Sequence, residues 1–228
     1  MESEIKENLE RVKERIDAAC LRTGRSAGEV TIVAVTKTHG PEFVDAVIAA
    51  GVPNVGENRI QEFLGKKDRV ERPCRWHLVG TLQRNKATKA VGQFVLIQSL
   101  DRLKLAETLS RLSVERGIDT RTLIEVNTSG ESTKHGAAPD EVIDLAGAVR
   151  DLPGLALDGL MTIGPLTDDE AAVRRSFIRL RELKERAETE LGGELPHLSM
   201  GMSDDFEVAV EEGATIVRLG RVLFGERG

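Results

Sequence analysis

A lysine stands at the end of the first strongly apolar run of the sequence. Residues 31–36 are TIVAVT, and Lys37 follows directly. If this run is a barrel strand, the Lys37 amine points into the barrel mouth, where desolvation favours the neutral, nucleophilic form. Such an amine forms a Schiff base with a carbonyl compound. The alternative is an ordinary solvated lysine just past a strand.

Two later segments, 199–204 and 217–221, have the residue types of a phosphate site. Ser203 supplies a hydroxyl, and Gly201 and Gly220 let the backbone approach an anion closely. Loops after the seventh and eighth strands are the usual phosphate site of a (β/α)8 barrel. Alternatively, Ser203 only caps a helix that starts at Asp204.

Arg218 falls inside the eighth predicted strand, next to these loops. A buried arginine needs an acceptor, which is either the pyridine nitrogen of a cofactor or a core carboxylate in a salt bridge. A guanidinium beside a ring nitrogen keeps that nitrogen unprotonated, because a second positive charge nearby is unfavourable. The ring is then a weaker electron sink.

Polar residues also interrupt the second and third apolar runs. Asn58 follows the second run and His77 lies in the third, so both are candidates for the same rim of a barrel. Each has a structural alternative: Asn58 caps the next helix, and His77 is a hydrogen-bonded strand residue.

The elements that position these residues follow from the hydrophobic pattern. Residues 4–20 have one apolar stripe at spacings of three and four, which predicts an N-terminal helix. Short β-branched runs then alternate with amphipathic segments. Seven helical segments join eight predicted strands. The strands are predicted at 31–36, 54–57, 76–80, 94–98, 122–127, 157–163, 197–201 and 215–219.

This rhythm favours a (β/α)8 barrel with an extra N-terminal helix over an open doubly wound sheet, which usually has five to seven strands. No linker rich in Pro, Gly or Ser divides the chain, so we expect a single domain over residues 1–228.

Composition argues against several classes of protein. The net charge is −6 with basic residues scattered among acidic ones, so nucleic acid is not an expected partner. The two cysteines and four separated histidines give no metal-site spacing. No run approaches the roughly 20 apolar residues of a membrane span, and no secretory signal is visible. We therefore expect a cytoplasmic protein that does not enter a membrane.

Taken together, these segments resemble the pyridoxal phosphate homeostasis proteins, a family similar to the barrel domain of alanine racemase. The resemblance is spread over most of the chain, in the segments 33–37, 56–58, 76–86, 126–136, 159–163, 198–205 and 217–225. It implies a Schiff base between Lys37 and pyridoxal 5'-phosphate. Ser203 and the backbone of Gly220 and Arg221 would hold the phosphate, and Arg218 would face the pyridine nitrogen. Asn58 and His77 would line the pocket.

The sequence departs from the family pattern at a few positions. Thr36, Thr81 and Arg84 stand where the family often has Ser, Pro and Ser, and Arg221 replaces a frequent Thr. Only the backbone N–H of Arg221 is needed, so its side chain would add positive charge near the phosphate.

The resemblance also implies a function, the storage or delivery of pyridoxal phosphate with an effect on vitamin B6 and amino-acid balance. We expect apo-enzymes as partners and a monomeric chain. In the racemases, a tyrosine of the partner subunit is the second base. This chain has no tyrosine and ends soon after the eighth strand, so no dedicated catalysis is expected. Two alternatives stay open: a small pyridoxal phosphate enzyme with Lys37 as its only base, and a barrel enzyme that binds a phosphorylated sugar.

Overall fold

Eight parallel strands close into a barrel in the computed structural model, which describes residues 1–131 and 135–225. Each strand pairs with the next, and the first pairs with the eighth. The predicted barrel is confirmed. Its strands are β1 (Thr31–Val35), β2 (Asn54–Glu57), β3 (Arg75–Leu78), β4 (Leu96–Leu100), β5 (Thr120–Glu125), β6 (Leu155–Met161), β7 (His197–Ser199) and β8 (Ile216–Leu219).

Helices cover the outside of the barrel. The connection between β3 and β4 is a 3-10 helix, Arg84–Lys89, and the others contain α-helices. The α-helices are α1 (Glu2–Arg22), α2 (Pro41–Ala49), α3 (Ile60–Lys66), α4 (Leu103–Arg116), α5 (Val142–Arg150), α6 (Glu170–Leu191), α7 (Phe206–Glu211) and α8 (Arg221–Phe224). None of the helices in the described ranges combines the length and apolar character needed to cross a membrane.

The N-terminal helix is confirmed, with the predicted apolar stripe buried. Its stripe packs on the outer layer around α2, α7 and α8, and consists of Ile5, Leu9, Val12, Ile16 and Ala19. The side chain of Asn8 donates to the carbonyl oxygen of Leu223 at 3.0 Å. Helix α1 therefore helps to fix α8, the element that directly follows Gly220.

Alternation along the strands decides which side chains reach the barrel interior. Val33 and Val35 of β1 belong to an interior cluster that includes Ile216 of β8. Side chains two residues apart share a face of a strand. The same face therefore continues to Lys37 after β1 and to Arg218 in β8, and both lie at the mouth, the end of the barrel formed by the carboxyl ends of the strands.

Candidate functional site

Two adjoining cavities open at the mouth of the barrel. The smaller, which we call the Lys37 cavity, has a volume of about 260 Å³. The larger, which we call the polar cavity, has a volume of about 590 Å³, and the two share Asn58, Val79 and Ile163. The structure brings six of the seven sequence-predicted site residues to the Lys37 cavity: Lys37, Asn58, Ser203, Arg218, Gly220 and Arg221.

Lys37 lies in a tight turn that ends β1. The N–H of His39 donates to the carbonyl oxygen of Thr36 at 3.1 Å, which closes the turn around Lys37 and Thr38. Lys37 is partly buried and lines the cavity, whereas Thr36 is fully buried. The lysine is thus a lining residue of the mouth, in a backbone segment that the barrel holds in place.

Arg218 is a buried cation that donates to neutral oxygens. Its Nη1 donates to Ser199 Oγ at 2.6 Å, and its Nη2 donates to the Thr162 carbonyl oxygen at 2.7 Å. Burial lowers the pKa of Arg218 to about 10, which leaves it charged at neutral pH. Within the described residues it forms no salt bridge to a carboxylate, so the salt-bridge alternative is wrong.

A chain of hydrogen bonds extends from Arg218 across the barrel interior. Ser199 Oγ donates to Gln98 Oε1 at 2.6 Å, which turns the Gln98 amide nitrogen towards His77 Nδ1 at 3.1 Å. His77 Nε2 lies 3.2 Å from Asn54 Oδ1. This order assigns Nδ1 of His77 as an acceptor and Nε2 as a donor, which is the neutral imidazole.

The position of His77 corrects the sequence analysis. His77 is buried in β3, and it is not among the residues that line either cavity. Burial lowers its pKa to about 4, and repulsion from His197 adds to the effect, so the ring is neutral at pH 7. The alternative of a hydrogen-bonded strand residue is confirmed. Its link to the site runs through Gln98 and Ser199 to Arg218.

Ser203 lies where the β7 loop meets the start of α8. Its hydroxyl oxygen accepts from the Val222 N–H at 3.3 Å. Helix α7 starts only at Phe206, and the Asp205 carboxylate accepts from the Met202 N–H at 2.6 Å. The alternative that Ser203 caps a helix beginning at Asp204 is therefore wrong.

Gly201 allows the loop after β7 to pack closely against α7. It has a φ of +93°, and a Cβ there would lie 2.6 Å from the Ala209 Cβ and 2.9 Å from the Phe206 Cα. The Arg218 N–H donates to the Gly201 carbonyl oxygen at 2.9 Å. A side chain at position 201 would clash with α7 and displace the loop that carries Ser203.

Arg221 follows Gly220 as the first residue of α8. Its guanidinium pairs with the Asp204 carboxylate, and both side chains are largely exposed. The positive charge that the sequence predicts beside this site is therefore balanced by a carboxylate.

Asn58 lies between the two cavities and lines both. The cap alternative is wrong, because α3 begins at Ile60 after Arg59, with no side-chain cap. The loop after β3 packs directly on Asn58, since a Cβ on Gly80 would lie 2.3 Å from the Asn58 carbonyl oxygen.

Glu125 is a site residue that the sequence analysis missed. It lines the polar cavity, is 4% exposed, and its Oε2 has no hydrogen-bond partner among the described residues. Burial raises its pKa to about 7; Asp101 adds to the rise and Arg218 opposes it. A carboxyl group at the end of β5, two residues after Leu123 on the interior face, is the signal that could have revealed it.

Comparisons with known proteins fit this geometry. The family described as "Alanine racemase, N-terminal domain" matches residues 3–228. An alanine racemase from Clostridium difficile shares the fold with a TM-score of 0.78 at 14% identity; the alignment covers 99% of this chain and 57% of the racemase. Fold and site therefore define a barrel of the alanine racemase N-terminal type.

More similar relatives give the particular family. The pyridoxal phosphate homeostasis protein of Aquifex aeolicus is 45% identical over 97% of both chains. That of Pseudomonas aeruginosa is 43% identical over 99% of this chain and 96% of its own. PipY of Synechococcus elongatus, solved with pyridoxal phosphate bound, has a TM-score of 0.82 at 34% identity, covering 94% of this chain and 100% of PipY. The chain belongs to the family of pyridoxal phosphate homeostasis proteins.

Proposed function

We propose that this protein binds pyridoxal 5'-phosphate as a Schiff base on Lys37 and serves the intracellular homeostasis of that cofactor. The observation that carries the proposal is the convergence of Lys37, Ser203 and Arg218 on one cavity of about 260 Å³. Those three side chains come from opposite ends of the sequence. The family membership supports the same function.

The residues present fit the cofactor. Lys37 supplies a primary amine for the aldehyde, and Ser203 with the backbone of Gly220 and Arg221 supplies donors for the phosphate. Arg218 has five N–H donors, of which its hydrogen bonds to Ser199 and Thr162 use two. A buried guanidinium in the cavity wall is therefore able to donate to the pyridine nitrogen.

Bound pyridoxal phosphate supplies an aldehyde and an electron-withdrawing ring. The protein's own groups bind and orient it. Ser203 anchors one end, and Arg218, held by Ser199, presents a fixed positive charge to the ring nitrogen and disfavours its protonation. Lys37 holds the other end. A cofactor held in this way is retained covalently while its ring is a weak electron sink.

We propose a carrier rather than a dedicated enzyme, and a two-base racemisation lacks support in this chain. The sequence contains no tyrosine, and His77 is neutral and does not line the cavity. The rival is a small pyridoxal phosphate enzyme acting on an amino acid. One observation favours this rival: Glu125, with a pKa raised to about 7, lines the adjoining cavity.

Incubation of the cofactor-loaded protein with L-alanine in deuterium oxide distinguishes the carrier from the enzyme. A positioned acid is worth about 10²- to 10⁴-fold in rate, so we expect slow exchange at the α-carbon without inversion. The Glu125→Gln variant should exchange at the same rate. Rapid formation of D-alanine that is lost in Glu125→Gln would contradict the carrier and establish the rival.

The proposal also covers the protein's partners, compartment and oligomeric state. Apo-enzymes that need pyridoxal phosphate are the proposed recipients. The protein is proposed to be a cytoplasmic monomer. The single-domain organisation over residues 1–228 and the absence of a nucleic-acid partner stay predictions from the sequence.

A further inference from the structure

One face of helix α3 holds the turn that carries Lys37. The Lys66 Nζ donates to the Thr36 carbonyl oxygen at 2.8 Å, and the Glu62 Oε2 accepts from the Thr38 N–H at 3.1 Å. Glu62 and Lys66 are four residues apart, so they lie on the same side of the helix. The helix therefore binds the backbone on both sides of Lys37.

The Lys66 contact is a buried ionic one. Lys66 is 6% exposed and Glu57 is fully buried, and the Lys66 Nζ lies 2.5 Å from the Glu57 Oε1. The Thr36 hydroxyl donates to the same carboxylate oxygen at 2.6 Å. Buried ion pairs contribute little net stability compared with apolar packing. This pair contacts the residue before Lys37 twice, because the Lys66 ammonium donates to the Thr36 carbonyl oxygen and the Glu57 carboxylate accepts from the Thr36 hydroxyl.

The Glu62 contact falls on a strained residue. Thr38 has a φ of +68°, and it is the only non-glycine residue with positive φ in the described ranges. A β-branched residue adopts this conformation only where its surroundings impose it. The hydrogen bonds from the Thr38 N–H to Glu62 and from the His39 N–H to Thr36 are two such restraints.

We propose that Glu62, Lys66 and Glu57 are positioning residues that orient the Lys37 amine towards the cofactor before the cofactor arrives. This inference rests on the proposed function, which makes Lys37 the covalent attachment point. The three residues act through the backbone of Thr36 and Thr38. In the part of the chain that the structure describes, helix α3 contacts the Thr36 and Thr38 backbone and not the loops after β7 and β8. The loss of these residues should therefore slow attachment to Lys37 while leaving the phosphate loops unchanged.

The first test compares Glu62→Ala with Glu62→Gln, which keeps an oxygen acceptor for the Thr38 N–H. Purified apo-protein is mixed with pyridoxal phosphate, and the rate of appearance of the visible absorption band is followed together with total bound cofactor. A displaced reacting group costs up to about 10² in rate, and we expect about a tenfold slower band in Glu62→Ala. Total binding should stay within about twofold, and Glu62→Gln should recover most of the rate.

Glu190→Ala is the matched control. Glu62 pairs with Arg59, just before α3, and Glu190 pairs in the same way with Arg186 at the exposed surface of α6. It should form the band at the wild-type rate. The second test is the double variant Glu57→Gln/Lys66→Met, which removes both buried charges together and leaves neither unpaired. It should also slow the band, with its fold checked by circular dichroism.

If the band forms at the wild-type rate in both Glu62→Ala and the double variant, the proposed positioning role is wrong. A loss of total binding in parallel with the loss of rate would also overturn it, because that pattern indicates a general structural role. Failure of the proposed function has a different signature, because borohydride would then trap no adduct on Lys37 in the wild type. The positioning role would be wrong in that case as well.

Discussion

Two neighbouring parts of the barrel mouth are built by different means. On the β1 side, Lys37 is presented by a strained turn that buried charges and α3 hold in place. On the β7–β8 side, Ser203 and Gly220 are presented by glycine-containing loops, which are joined by the hydrogen bond from the Arg218 N–H to the Gly201 carbonyl oxygen. The first side offers a covalent bond, and the second offers hydrogen bonds to an anion. Attachment and affinity should therefore be separable by mutation.

Replacement of Lys37 should have the largest effect, because it removes covalent attachment and leaves the phosphate loops in place. Lys37→Ala removes the amine, so the visible band and the adduct that borohydride traps should disappear completely. Part of the non-covalent binding should survive, since the variant leaves Ser203 and Arg218 in the cavity wall. Absorption spectra and dialysis of loaded wild type and variant measure both quantities. A persistent band in Lys37→Ala would mean that another lysine is attached.

Loss of the Ser203 hydroxyl should affect the other side of the mouth. Ser203→Ala should weaken cofactor binding by about 1 to 3 kcal/mol, the usual scale for a hydrogen bond to a charged group. The fold should survive, because the hydroxyl does not cap α7. Titration with pyridoxal phosphate measures the change.

Ser110→Ala is the control for this variant. Ser110 lies on α4, outside both cavities, and its hydroxyl donates to the Pro153 carbonyl oxygen at 2.7 Å. It should lower thermal stability without changing cofactor affinity. If Ser203→Ala behaves in the same way, the hydroxyl serves only the Val222 N–H.

Glu125→Gln should have the smallest effect on the bound cofactor and a clear effect on stability. The folded pKa is raised from 4.5 to about 7. As pH rises through this window, the unfolded chain loses its proton first, so the free energy of unfolding falls. Glu125→Gln has no such titration. Its free energy of unfolding should therefore rise by about 2 kcal/mol relative to that of the wild type between pH 5 and pH 8. Urea denaturation at both pH values measures the gain, and a constant difference would contradict the raised pKa.

Much of this architecture could be predicted because it repeats along the chain. The β-branched runs and the α1 stripe depend on periods of two and about four residues, which are visible in sequence. The strand ends that carry Lys37 and Arg218 follow from the same alternation. The bounds differ by a few residues: β4 was predicted at 94–98 and spans Leu96–Leu100.

The less predictable features depend on contacts between distant segments. The sequence places His77 in the correct strand, but its partners Asn54 and Gln98 come from the neighbouring strands β2 and β4, and the pairing of side chains between strands is not visible in the sequence. Lys66 reads as an ordinary charge on an amphipathic helix, and only the closed barrel buries it against Glu57. Of the resembling segment 126–136, residues 132–134 lie outside the described ranges.

The central claim is that Lys37 is the residue that holds the cofactor. Borohydride reduction of the protein loaded with pyridoxal phosphate, followed by proteolysis and mass spectrometry, tests it most directly. We predict one reduced phosphopyridoxyl adduct per chain, in the peptide that contains Lys37, and its loss in Lys37→Ala. A principal adduct on Lys86, Lys66 or any other lysine would contradict the site, and absence of any adduct would contradict the Schiff base itself.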